Sequence, residues 1–159
     1  MAAHDDDWPA TMRRLARAVS PDEVLCLGAL ASTTLAQTGL RLRPIQPEQL
    51  LAGLHDLGRF DLAVVAGVLE QLPHRRGTAL ISRLRDVHAK RLLVQLALHR
   101  ELDQGWTRQD MLGLGLSEVM RCLDAGRAVG LYHFNLYDYK LTPDWLNPQH
   151  WAHPHLWKP

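Results

Sequence analysis

The sequence predicts a three-layer α/β domain around a mostly parallel sheet that ends in an antiparallel hairpin. Three observations predict it. Short apolar runs at Val24–Leu27, Leu62–Val65 and Arg91–Ala97 alternate with segments whose apolar residues recur at helical spacing. Those runs are apolar at nearly every position, as expected of strands covered on both faces. The order closes with two further strand-like runs, Glu118–Leu123 and Ala128–Tyr137, joined by the hairpin-type turn Asp124-Ala125-Gly126-Arg127.

Each element has a local cause. Asp7 before Trp8-Pro9 suits a helix start with proline in its first turn, and Met12, Leu15, Ala16 and Val19 continue it to the stop at Ser20-Pro21. Gly28 lets the chain turn tightly after the first strand. A helix then runs over Ala29–Gln37, with Gly39 as its C-cap. Leu40–Ile45 alternates apolar and basic residues and reads as a strand nearer the sheet edge. Pro47 opens a helix with Leu50, Leu51, Leu54 and Leu57 inward, ended by Gly58. A helix over Arg76–His88 carries the stripe Leu80, Ile81, Leu84 and Val87. Thr107 and Asp110 form a near capping box that opens a short helix ending at Gly113 or Gly115.

The 159 residues make one domain, large enough to bury a core without disulfides or metal. Residues 1–141 hold the α/β domain. Residues 142–159 form a tail rich in proline, histidine and tryptophan, without helical or strand period. A net charge of +1 gives no global field toward nucleic acid or an acidic partner. The two cysteines, Cys26 and Cys122, lie in apolar runs and read as buried free thiols, a single disulfide being the second choice. Asp5, Asp6 and Asp7 stand where a secretory leader needs positive charge, and no run has the apolar length of a membrane helix. The expected location is the cytoplasm.

Three segments, taken in order, resemble class I S-adenosylmethionine-dependent methyltransferases. Val24-Leu25-Cys26-Leu27-Gly28-Ala29-Leu30-Ala31 stands where that family carries its first glycine-rich motif. The run from Phe60 to Pro73 is similar to its fourth-strand segment. Trp106 to Leu116 is similar to its approach to the terminal hairpin. The resemblance covers most of residues 20–137 and implies a Rossmann-like sheet with a cofactor crevice at the strand ends. It implies backbone contacts to the cofactor at Gly28, Ala29, Ala66 and Gly67, and Glu70 and His74 as the nearest catalytic groups.

The chain departs from that pattern where the cofactor should be gripped. Cys26 replaces the acid of the first motif, and Leu30 replaces a glycine that permits close approach. Arg43-Pro44-Ile45-Gln46 ends the second strand without the usual carboxylate, leaving Gln46 or Glu48 as substitutes. The interval from Gly28 to Phe60 is one strand-helix unit shorter than the family's. The expectation is therefore a shortened, degenerate methyltransferase-like protein that binds a protein partner, with no cofactor. A small S-adenosylmethionine-dependent methyltransferase is the alternative. The run from Tyr137 to Asn147 also resembles an uncharacterised bacterial family, which brings no activity with it.

Other constellations have blander readings. His150, His153 and His155 have spacing that a metal could use, but three or four ligands must be held in geometry, so no metal is expected. Trp145, Trp151 and Trp157 suit docking into the domain's own grooves more than stacking on nucleobases. Arg75, Arg76, Arg83, Arg85, Lys90 and Arg91 make a locally basic stretch that, with Asp86 among them, reads as a solvated helix face rather than a nucleic-acid site. His133 and Asn135 share one face of the last strand, where a polar pair lines a pocket, pairs in the core or sits exposed at the strand end.

Overall fold

The computed structural model describes residues 7–53, 57–98 and 105–138. Helix α1, Trp8–Val19, carries Pro9 in its first turn and ends where Ser20 takes a left-handed conformation (φ 49°). Its buried side, Trp8, Met12 and Ala16, faces the sheet. The Trp8 indole N–H donates to the Asp124 carboxylate at 2.9 Å.

Strand β1, Val24–Leu27, is followed by α2, Ala29–Leu35, and a single 3-10 turn closed by Gly39. Strand β2, Leu42–Ile45, leads to α3, Pro47–Leu51. Strand β3 is Leu62–Ala66, and β4, Arg91–Ala97, follows α4, His74–Arg83. After α5, Arg108–Gly113, come β5, Ser117–Asp124, and β6, Arg127–Asn135.

The sheet order is β2-β1-β3-β4-β6-β5. The first four strands are mutually parallel, and β6 runs antiparallel to both β4 and β5. The fold is the mixed α/β, Rossmann-like sandwich that the alternation predicts. Among the described residues only β2 stands between β1 and β3 in the chain. Register places Leu27 level with Ile45 and with Val65, so three carboxyl ends finish together. The chain steps outward from β1 to β2 and then crosses back to β3. The crevice outside those ends is where open α/β sheets bind ligands.

Period 2 divides the strand residues between two cores. Leu25, Leu27, Ala63, Val65, Leu92 and Val94 pack toward α3, α4 and α5. Val24, Cys26, Leu62, Val64, Ala66 and Leu93 pack toward α1 and α2. The hairpin turn has Ala125 and Gly126 both at positive φ (47° and 79°), the geometry whose twist matches flanking strands.

Two helices depart from expectation. Helix α3 stops at Leu51 because Gly53 takes φ 80°. Leu57 is nonetheless buried, and Leu54 lies outside the described residues. The helix expected over Arg76–His88 begins at His74 and turns into one π turn, Leu84–His88, closed by the Ala89 N–H on the Leu84 carbonyl at 2.8 Å. That wider turn rotates Val87 out of the core to 52% exposure and brings His88 in at 3%.

Candidate functional site

Gly28, Ala29 and Gly67 line a crevice of about 410 Å³ at the carboxyl ends of β1, β2 and β3. Gly28 sits at φ 93° against the end of β3. A Cβ there would lie 2.3 Å from the Ala66 carbonyl oxygen and 2.7 Å from a Val68 methyl. The glycine is therefore demanded by strand packing, whatever the crevice holds. Ala66 is fully buried and presents that carbonyl to Gly28, while Gly67 lines the opening.

Leu30 packs over Gly67. A Cβ on Gly67 would meet the Leu30 Cβ at 3.3 Å and its Cδ2 at 3.4 Å, and Leu30 is 39% exposed. The Gly67 loop is clamped from both sides. Its N–H donates to the Gln95 side-chain carbonyl at 3.1 Å, and its own carbonyl accepts from the Gln71 amide at 2.8 Å.

Cys26 forms part of the crevice floor at 1% exposure. Burial pushes its thiol up to about 11, against a smaller opposing hydrogen bond from Ser32. The group in the position of the first-motif acid is thus neutral at physiological pH. Of the two substitutes at the β2 end, Gln46 is occupied in a reciprocal capping box with Gln49. Glu48, exposed in the first turn of α3, brings the carboxylate on the crevice wall.

Glu70 and His74 line a smaller cavity of about 220 Å³ together with Trp106. Both are engaged. The Glu70 carboxylate accepts from the Ala97 N–H at 2.7 Å, tying down the end of β4. The His74 ring stacks on Trp106, with centroids 4.2 Å apart, and its Nε2 lies 3.4 Å from the Asp110 carboxylate. Trp106 itself donates to the Leu69 carbonyl at 3.0 Å. Burial alone would raise the Asp110 pKa; the Thr107 amide and hydroxyl, and then His74, together bring it below its usual value. Thr107 and Asp110 complete the capping box read from the sequence.

Sequence reasoning missed Gln95 and Gln71. A lone polar residue inside the apolar run Arg91–Ala97 was the available signal for Gln95, since a buried amide needs a partner. The basic stretch is dispersed. Arg85 pairs with Asp86 and donates to the Leu114 carbonyl, Lys90 pairs with Asp61 at 2.8 Å, and Arg91 lies over the Tyr137 ring. Neither Cys26 nor Cys122 forms a disulfide. Among the described residues no group of three His, Cys, Asp or Glu could hold a metal, and no helix is long and apolar enough to cross a membrane. The histidines and tryptophans of the tail lie outside the described residues.

The sheet order, the terminal hairpin and the crevice define the methyltransferase-type Rossmann fold. The magnesium protoporphyrin IX methyltransferase of Synechocystis PCC 6803, solved with bound S-adenosylmethionine, superposes with a TM-score of 0.55 at 18% identity, over 79% of this chain and 76% of that one. The 1,6-didemethyltoxoflavin N1-methyltransferase of Burkholderia thailandensis, solved with S-adenosylhomocysteine, gives 0.54 at 14% identity, over 81% and 78%. A TehB-like S-adenosylmethionine-dependent methyltransferase from Corynebacterium glutamicum gives 0.51 at 16%, over 84% and 90%. At these identities the likeness is one of fold. No curated protein matches the chain. Its sequence belongs to the family described as "Family of unknown function (DUF6231)", whose model matches residues 6–159.

Proposed function

We propose that this chain is a methyltransferase-fold protein that transfers no methyl group and works by binding a protein partner. The observation that carries the reading is the crevice floor. Where the first motif would place an anionic acceptor, the chain has the buried, neutral Cys26 thiol. Two further features support it. Leu30, in place of the motif's second glycine, packs against Gly67, and its exposed edge offers an apolar contact. Glu70 and His74 are held by Ala97, Trp106 and Asp110.

The open volume of the crevice favours a second reading, retention of S-adenosylmethionine. The fit is partial: the space and one carboxylate are present, and the floor acceptor is not. In that reading the backbone of Gly28, Ala29 and Gly67, with Ala66 behind them, would line the cofactor, and Glu48 would accept from its ribose hydroxyls. The bound cofactor would supply an electrophilic methyl group, with Glu70 and His74 nearest the acceptor. Calorimetric titration of the full chain with S-adenosylmethionine and S-adenosylhomocysteine separates the two. The expected result is no saturable heat at micromolar ligand and no thermal stabilisation by either compound. Micromolar binding of either would overturn the first reading in favour of the second.

A further inference from the structure

A second cavity of about 410 Å³ lies on the α1 side of the sheet, at the amino ends of β3 and β4, opposite the crevice. Helix α1 covers this end of the sheet incompletely. Leu15 and Val19 on the helix and Val119 on β5 are half-buried, and with Leu62 and Leu93 they make an apolar trough. Arg91, His133 and Asn135 supply its polar rim. The polar pair on the last strand is thus neither in the core nor at a free strand end; it borders a groove.

The described chain ends beside this groove. After β6 the Leu136 N–H donates to the Lys90 carbonyl at 2.9 Å, and the Tyr137 ring lies 5.1 Å from the Arg91 guanidinium on the rim. Trp145 follows seven residues beyond Asp138, and Trp151 and Trp157 follow at thirteen and nineteen. At about 3.3–3.6 Å per extended residue, all three can reach the trough. The nearest reaches it at the highest local concentration. With the three-halves power of tether length, Trp145 holds roughly a fourfold advantage over Trp157. The family model runs through residue 159, so the tail belongs to the pattern that defines the family. A tryptophan also suits the site chemically. Its ring fills apolar space, and its N–H needs an acceptor, which the His133 imidazole on the rim can provide.

We infer that this groove seats the chain's own C-terminal segment, with Trp145 as the side chain that fills it. The inference is independent of what the crevice binds. It is tested by fluorine NMR of the full chain labelled with fluorotryptophan, each of the five signals being assigned by a single Trp→Phe substitution. Trp145 is expected to show the small solvent isotope shift of a buried indole, like Trp106, which is 3% exposed. Ala18 is exposed on the groove wall, so Ala18→Arg obstructs the trough without entering the core. That variant is expected to move Trp145 to the solvent-exposed position while the Trp8 and Trp106 signals hold, which also reports that the fold is intact. Val119→Arg is the second obstruction, from the opposite wall. A Trp145 signal that is fully solvent-exposed in the unmodified protein overturns the inference. So does protection that survives both obstructions. Protection that disappears on dilution overturns it in favour of a second copy's tail in the groove.

Discussion

Replacing Gly28 by alanine tests the physical account of the crevice. The new Cβ meets the Ala66 carbonyl oxygen at 2.3 Å, far inside contact distance, and a Val68 methyl at 2.7 Å. Neither neighbour can rotate away cheaply, because the first is backbone at the end of a buried strand. Gly28 also holds φ 93° with ψ 145°, a conformation nearly restricted to glycine. The conformational part costs about 1–3 kcal/mol. Forcing the strand end aside costs about 1–3 kcal/mol more, by analogy with overpacked cores. A total of ~4 kcal/mol lowers the melting temperature by roughly 8–16 °C in a chain of this length. Gly39→Ala is the matched control. Gly39 has φ 77° and nothing within 4 Å of its absent Cβ, so only the conformational cost, about 1–2 kcal/mol, applies. The assay is denaturant and thermal unfolding of both variants beside the parent. Equal losses in the two would refute the argument that strand packing, and not only backbone conformation, requires Gly28.

Three other outcomes are expected. Gln95→Leu leaves the partly buried Gly67 N–H without its acceptor and should cost about 1–3 kcal/mol, with faster amide exchange at Gly67 as the local signature. Tyr132, fully buried, has its hydroxyl pushed up to about 12, first by burial and then by the Glu118 carboxylate. Its raised folded value means that stability is whole below pH 10 and falls as pH rises toward 12, because only the unfolded state ionises there; Tyr132→Phe should flatten the alkaline limb of a stability–pH curve. Asp61 is held below its usual value chiefly by the hydrogen bond from Lys90. A lowered folded value gives stability that is present above about pH 3.9 and lost as pH falls through the folded value, so Asp61→Asn should be less sensitive to acid than the parent when unfolding is followed below pH 4.

The fold was legible because its signals are local and repeated. Buried runs such as Val24–Leu27 and Leu62–Ala66 carry no competing period, and the Ala125-Gly126 turn and the Thr107–Asp110 box work through neighbouring atoms. The misread helix ends also have local causes that a period cannot express. A π turn keeps the helical spacing in sequence while rotating Val87 to solvent, and Gly53 ended α3 before its leucine pattern did. The contacts around the site were not legible. Gly28, Ala29 and Gly67 line the crevice, and Ala66 lies buried behind them. That Glu70 would be taken up by the Ala97 amide depends on a contact across 27 positions, and that His74 would stack on Trp106 depends on where a later segment packs. Such contacts between distant segments are set by packing, and a motif read in one stretch contains no information about them.

The two edges of the sheet have a consequence for how this molecule meets others of its kind. Strand β2 ends the sheet on one side, and a bare edge is a template for another chain's backbone. Here Pro44 stands in the middle of β2, paired with Cys26, and as an edge proline it withholds an N–H from the solvent side. On the opposite edge, β5 breaks its register between Glu118 and Met120 and carries Glu118, Arg121 and Asp124 along its length. A bulge twists an edge, and charge repels a flat apolar strand. Among the described residues both margins of the sheet are therefore closed to self-templated growth, which leaves its faces and strand ends as the surfaces open to contact.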